Sequence, residues 1–373
     1  MNRSLEHALC RLHQQSHAAL IANATTGLVL ALAALGLRDK RIGIPNSVCP
    51  NVPLAVLLSG NRPFYLDVSM RDFGINIDAL AKHGDQLNAV IAVHAYGNVC
   101  DMPAIAEFCR SRGMPLIEDL AVAQGAQLAG QPVGSFADIA VVSFGAGKII
   151  DDGHGGAVLT SQQAVMNEIQ MLASGLATPE AAAEQAVHEF GRYHTELYNR
   201  HFAAGTVNAQ CAEFRSRAIG LERHILGRFV ESHRPAIAER LERLDAALRL
   251  RRQHAEKLER LLAPYESPGL SIHRPPDGSV PWRFNVLIAG QDRLLRGMLA
   301  KKMKVSSWFP SADLFFEDRN CSGVVTPVAD EVGKRILNLW VNEDADDAYI
   351  HAVAAELIDH LATSRITVCA NVR

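Results

Sequence analysis

The sequence predicts an α/β protein in which a mostly parallel sheet is covered by helices on both faces and followed by a smaller α+β unit. From residue 18 to 160, short apolar, β-branched runs alternate with helical patterns. Those runs are almost continuously apolar, as strands buried on both faces are. Beyond residue 280 the order changes to strand, helix, strand, loop, strand and helix, a compact α+β pattern.

The strands are expected at Ala19–Ala22, Arg41–Ile44, Pro63–Asp67, Ala89–Val93, Pro115–Glu118, Ile139–Ser143 and Ala157–Thr160. Helices fall between them, among them Asn76–Lys82 and Met102–Arg112, the second closed by Gly113 just before the next strand. From about 165 to 233 the composition is helical but the pattern erratic, with His188, Tyr193, His194, Tyr198 and Arg200 scattered through it, and no role follows from it. An amphipathic helix is expected over Arg234–Leu262, with Leu241, Leu244, Leu248, Leu258 and Leu262 on one stripe and a solvated, charged opposite face. The chain then reads strand Trp282–Ile288, helix Gln291–Lys301, a strand, a loop, strand Ile336–Val341 and helix Asp346–Ala362. Two domains are expected, a large one over 1–240 and a small one over 241–373.

The 373 residues, 48% hydrophobic and 21% charged, suffice for two packed cores. A formal net charge of -3 gives no long-range field for gathering nucleic acid or anionic lipid, so neither partner is expected. The cysteines at 10, 49, 100, 109, 211, 321 and 369 are odd in number and contain no C-x-x-C pair. No disulfide framework and no metal site are expected from them. Arg3, Glu6, His7 and Arg11 interrupt the N-terminal apolar residues, and no later apolar run reaches spanning length, so a cytoplasmic protein without membrane spans is expected.

Three segments carry the chemistry, and each comes directly after an expected strand, at the edge where open α/β sheets bind ligands. NATTGL at 23–28 opens a helix, whose free N–H groups and positive dipole end suit a phosphate; Asn23 or Thr25 acting only as a helix cap is the commoner use of such a turn. IEDLAVAQGA at 117–126 puts Glu118 and Asp119 at the end of an apolar strand, where a carboxylate needs a cationic partner or good hydrogen bonds. A protonated pyridine nitrogen is one such partner, and a cap or structural salt bridge is as common. SFGAGK at 143–148 places Lys148 in a turn of small residues after a buried strand, where desolvation would free its amine for imine chemistry. Ser143 could donate to a phosphate oxygen, and glycines 145, 147, 153, 155 and 156 let the backbone wrap a ligand or simply reverse the chain.

Together these residues resemble the DegT/DnrJ/EryC1/StrS family, the sugar aminotransferases of pyridoxal-phosphate fold type I. Between Val93 and Thr160 the elements V-H-x-Y-G, D-M, I-E-D, Q-G-A, G-S-F-x-D, S-F-x-x-x-K and G-G-A-V-x-T occur in the family's order and spacing. The match continues less densely through TTGLVLALAALGL, IPNSV, LLSGNRPFYLDV, RLERLDAALRLRRQHAEKL and VTPVADEVGKRILNLWVNEDADD, leaving out about 165–230. The resemblance implies that Lys148 holds pyridoxal 5′-phosphate as a Schiff base and shuttles the proton. It implies that Asp119 pairs with the pyridine nitrogen, and that the backbone at Ala24 and Thr25 holds the phosphate with the Ser143 hydroxyl. It further implies a homodimer, with Arg228 reaching the partner's site, and amino transfer from glutamate or a similar donor to a keto sugar, one linked to a nucleotide. A keto-cyclitol or other small ketone as acceptor, and a cofactor-binding paralogue without catalysis, are the alternatives.

The chain departs from the family at four places. Val122 stands where Gln or His is usual, Cys49 where an aromatic residue is common, and Leu226–Gly227–Arg228 where the family has N-Y-R, while Trp308 and Phe309 occupy the place of a substrate-loop His. His94 and Tyr96, at a strand end, are candidates to touch substrate, as is His154 in the glycine turn; a hydrogen-bonded structural histidine is the alternative for His94. Trp308 and Phe309 suit packing at a domain edge, and Cys49 a small hydrophobe.

Overall fold

The computed structural model describes residues 4–179, 185, 189, 192, 193, 211–316 and 324–370. The apolar runs become strands β1 His17–Ile21, β2 Arg41–Pro45, β3 Arg62–Leu66, β4 Ala89–Val93 and β5 Leu116–Asp119, then a short hairpin of β6 Gln127–Leu128 and β7 Gln131–Pro132, then β8 Ile139–Ser143 and β9 Gly156–Thr160. Seven of these form one sheet in the order β1-β9-β8-β5-β4-β2-β3. The pairs β2–β3, β2–β4, β4–β5 and β5–β8 are parallel, and β9 runs antiparallel to both β8 and β1. Six strands therefore point the same way, and β1, β5 and β8 all end at one edge. β4, β8 and β9 are buried at every position, which accounts for their uninterrupted apolarity.

The sequence-derived strands agree with the observed ones to within two residues. The helix between β3 and β4, Ile77–His83, is capped by Asn76, whose side chain accepts from Ala79 N–H, and Met102–Ser111 is capped by Asp101 in the same way.

A second sheet, ordered β10 Leu270–Ile272, β11 Phe284–Ile288, β13 Ile336–Leu339 and β12 Val305–Ser306, is antiparallel throughout. Helices Gln291–Ala300 and Asp347–Ala370 cover it. β11 begins two residues later than expected because Trp282 and Arg283 leave the ladder for the first sheet: Trp282 N–H bonds Tyr96 O and its indole Nε1–H bonds Gly147 O. The expected helix Arg234–Leu262 is two helices, Arg234–Glu242 and Leu244–Leu262. The break is at Arg243, whose N–H is shared between the carbonyls of Glu239 and Arg240 in a tightened last turn. Leu244 and Leu248 pack with the core beneath the large sheet, while Leu258 and Leu262 pack against the second sheet. The helix thus joins both cores, and the expected border at 240/241 falls just before it.

Within the stretch that gave no pattern, Tyr193 stacks on Phe214 with Arg217 over its ring. His188, His194, Tyr198 and Arg200 lie outside the described residues. Among the described residues no helix is long and apolar enough to cross a membrane.

Candidate active site

The three chemistry-bearing segments meet at the C-terminal edge of β1, β5 and β8. After β1, the helix Ala24–Ala34 starts with Asn23 as its cap, the Asn23 side chain accepting from Thr26 N–H. That cap uses one N–H of the first turn; those of Ala24 and Thr25 bond nothing among the described residues. Asn23 Nδ2 and the Thr26 hydroxyl both donate to Ile225 O, which fixes the turn from beneath. Gly156, on β9, faces this helix start. A Cβ there would lie 2.7 Å from Val142 O and 3.0 Å from both Ala24 N and Asn23 C, so β9 packs its backbone directly against the helix start and leaves no room for a side chain. Ser143 ends β8 nearby, buried, with its Oγ accepting from Gly145 N–H and its carbonyl accepting from Gln124 Nε2.

Asp119 ends β5, 4% exposed. Its Oδ1 accepts from Ala121 N–H at 2.8 Å, and its second oxygen takes no hydrogen bond from a described residue. Burial raises its carboxyl above the usual range, offset by the Ala121 N–H and by the positive charge of Lys148. Lys148 sits half-buried in the turn after β8, its N–H bonded to Gly145 O. Asp151 shapes that turn by accepting from Gly147 N–H and Gly153 N–H. The field of Lys148 also reaches Cys49, whose thiol burial pushes up. Cys49 and Asp119 thus both lie within the field of Lys148.

Glu118, next to Asp119 but on the opposite side of the strand, is fully buried and structural. It accepts from Gly134 N–H at 2.7 Å, Phe136 N–H at 3.2 Å and His94 Nε2 at 3.0 Å. His94 Nδ1 accepts from Cys100 N–H, so its proton is on Nε2 and the ring is neutral. Of the two roles open to His94 in the sequence, the structure places it in the hydrogen-bonded one, with its side chain fully buried. Its backbone N–H still serves the site edge, bonding Asp119 O.

Tyr96 is buried in a left-handed conformation (φ 60°) that a tyrosine adopts only under constraint. The constraint comes from the second sheet's side: its OH accepts from Phe309 N–H at 2.8 Å, and its ring stacks on Trp282 and Phe309. Trp308 extends the stack against both. Trp308 and Phe309 therefore pack, as the sequence suggested. His154 rests on His233, which bonds Asp152. Arg228 is exposed, and its backbone bridges Ile21 at the open edge of β1.

Gly156, expected among the flexible turn glycines, is a strand residue whose lack of a Cβ lets β9 pack closely against the helix start. The expected strand opens on the Trp282-Arg283 pair, and both residues lie outside the ladder, which begins at Phe284.

The fold has solved counterparts. The structure titled DesI in the presence of its TDP-sugar product superposes with a TM-score of 0.76 at 19% identity, covering 99% of this chain and 86% of that one. Among characterised relatives, GDP-perosamine synthase of Vibrio cholerae is 27% identical over 197 residues, 52% of this chain and 53% of its own length. The dTDP-3-amino-3,4,6-trideoxy-alpha-D-glucose transaminase of Micromonospora megalomicea subsp. nigra is 32% identical over 173 residues, 45% of this chain and 46% of its own. The chain thus spans about half the length of such relatives. The sequence model of the DegT/DnrJ/EryC1/StrS aminotransferase family matches residues 1–358.

Proposed function

The chain belongs to the DegT/DnrJ/EryC1/StrS aminotransferase family, and from that premise we propose that it transfers the amino group of glutamate or a similar donor to a keto sugar, one carried on a nucleotide. The observation that carries the reading is the convergence, at one sheet edge, of a buried carboxylate with an open oxygen (Asp119), a lysine whose charge reaches it (Lys148), and a helix start with two free N–H groups. These residues fit pyridoxal 5′-phosphate. The N–H groups of Ala24 and Thr25 left free at the helix start, with the Ser143 hydroxyl, would hold its phosphate. The open oxygen of Asp119 would hold a ring N–H, and Lys148 Nζ would attach the ring and move a proton at the substrate carbon. When bound, the cofactor supplies a conjugated ring that accepts the electron pair released at that carbon.

The reading includes a homodimer, in which Arg228, exposed at the sheet edge beside Ile21, would reach the neighbouring subunit's site and its guanidinium would stabilise an anion there. The interface would exceed the roughly 1,600 Å² of standard pairs, and the enzyme would work in the cytoplasm.

Purified protein is expected to absorb in the visible range, to lose that band on borohydride reduction, and to aminate a member of a nucleotide-linked keto-sugar panel with glutamate, read by mass spectrometry. Lys148→Ala should abolish band and product while leaving the fold intact. A Lys148→Ala protein with full activity overturns the reading; uptake of cofactor without amination of any keto sugar, keto-cyclitol or small ketone would make the chain a non-catalytic paralogue.

A further inference from the structure

Two arginines lie buried behind the Lys148 turn. Arg251, on the helix Leu244–Leu262, is 3% exposed, and Arg283, just before β11, is 5% exposed. Both donate through Nη1 to the same acceptor, the carbonyl of Trp282, at 3.1 and 2.9 Å. The Nε of each is buried with no hydrogen-bond partner among the described residues. Neither guanidinium has a carboxylate within ion-pair distance among those residues. The carboxylates whose fields reach them are engaged or exposed: Asp151 accepts from Gly147 and Gly153, Asp344 pairs with Lys304, and Glu343 lies on the surface.

Two like charges side by side in a protein interior are costly unless something negative joins them. Burial, with repulsion from Arg251, pushes Arg283 down to about 9. Arg283 is also held rigidly, its guanidinium 4.0 Å from the centre of the Trp340 ring and 4.5 Å from that of Trp282, so it is presented rather than mobile. Its Nη2 would be 3.8 Å from a Cβ on Gly147, the residue before Lys148, and Gly147 itself is clamped by the Trp282 indole.

We propose that Arg251 and Arg283 form an oxyanion-binding subsite against the Lys148 turn, separate from the Ala24–Thr25 helix start, that accepts a carboxylate or phosphoryl group. A pair of planar forks matches two-oxygen anions bidentately, which favours carboxylate and phosphate over chloride. Two sources could present such a group at this place, the carboxylate of an amino donor or the diphosphate of a nucleotide-linked acceptor. Anion binding itself does not depend on amino transfer.

The test is calorimetric titration of the purified full chain, as isolated, with sulfate, glutarate or uridine diphosphate, at ionic strength held constant with sodium chloride. Saturable binding of sulfate is expected in the wild type, weakened at least tenfold in Arg283→Gln and in Arg251→Gln. Glutarate binding lost in both variants assigns the subsite to a donor carboxylate; uridine diphosphate binding lost in both assigns it to the acceptor. Circular dichroism establishes that each variant is folded, and either one suffices should the other fail to fold. Wild type without saturable response to any of the three anions, or folded variants that bind all three as tightly as wild type, would overturn the proposal. Because the readout is binding, a chain that aminates nothing but still shows the arginine-dependent response separates failure of the amino-transfer reading from failure of this one.

Discussion

Replacing Glu118 with alanine tests whether the edge of β5 is held by the buried network beneath Asp119. Three N–H groups converge on that carboxylate: Gly134 and Phe136 of the following loop, and the His94 ring of the neighbouring strand's end. Glu118→Ala strands all three in a fully buried place, at about 1–3 kcal/mol for each donor left without an acceptor. Relief of the carboxylate's own desolvation offsets part of this, leaving a net loss of about 3–5 kcal/mol for the three unpaired donors together. At roughly 2 °C per kcal/mol for a chain of this size, the midpoint should fall by about 6–10 °C. Glu118→Gln keeps its oxygen for His94 and Gly134 but sets an amide N–H₂ against Phe136 N–H, for a smaller loss of about 1–3 kcal/mol. Urea unfolding of the wild type and both variants measures this directly. An alanine variant within about 1 kcal/mol of wild type, or a glutamine variant as damaged as the alanine one, would refute the reasoning.

Asp119→Ala should leave the fold intact and slow amino transfer on the order of a thousandfold, which is about 4 kcal/mol of transition-state stabilisation; single-turnover kinetics within a few-fold of wild type would make Asp119 only a cap for Ala121. Gly156→Ala should weaken cofactor uptake more than tenfold, read by titration of the visible band, because its Cβ meets backbone atoms that cannot swing aside. His273 accepts a hydrogen bond from Asn98 Nδ2, and burial lowers it to about 4. The unfolded chain then binds the extra proton first, so stability conferred by the neutral ring is complete above about pH 6.5 and declines towards pH 4, by up to about 3 kcal/mol. His273→Gln should flatten that part of the slope, which unfolding at pH 7 and pH 4.5 measures; an unchanged difference between the two pH values would show that His273 is not its source.

Much of this was legible because strands buried on both faces admit few polar residues. Ala89–Val93 and Ile139–Ser143 stand out as apolar blocks, and the residues just past the end of such a block in a parallel sheet lie at the ligand-binding edge. That logic singles out Asp119, Ser143, Lys148 and the 23–28 turn as candidates from the sequence alone. Features set by contacts distant in sequence were not readable. The burial of His94 depends on Glu118, and the departure of Trp282 from its strand depends on Gly147; the break at Arg243, though local, lies within an amphipathic stripe that runs straight through it. The short strand Leu270–Ile272 gave no periodic signal, and the isolation of Arg251 and Arg283 from carboxylates is a fact of three dimensions alone.

The indole of Trp282 joins the Lys148 turn to a residue 135 positions further along, and the hydroxyl of Tyr96 joins its strained turn to one 213 positions further along. Local strand and helix signals can be satisfied as soon as the first sheet leaves the ribosome; these two clasps cannot. At a synthesis rate of about 5–20 residues per second, roughly 7–27 seconds separate the emergence of Gly147 from that of Trp282. The nascent chain therefore passes through an interval in which the first sheet can form while its ligand-binding edge still lacks the fastening that shapes it, and a ribosome-stalled chain ending before Trp282 should carry a protease-sensitive turn at 145–153.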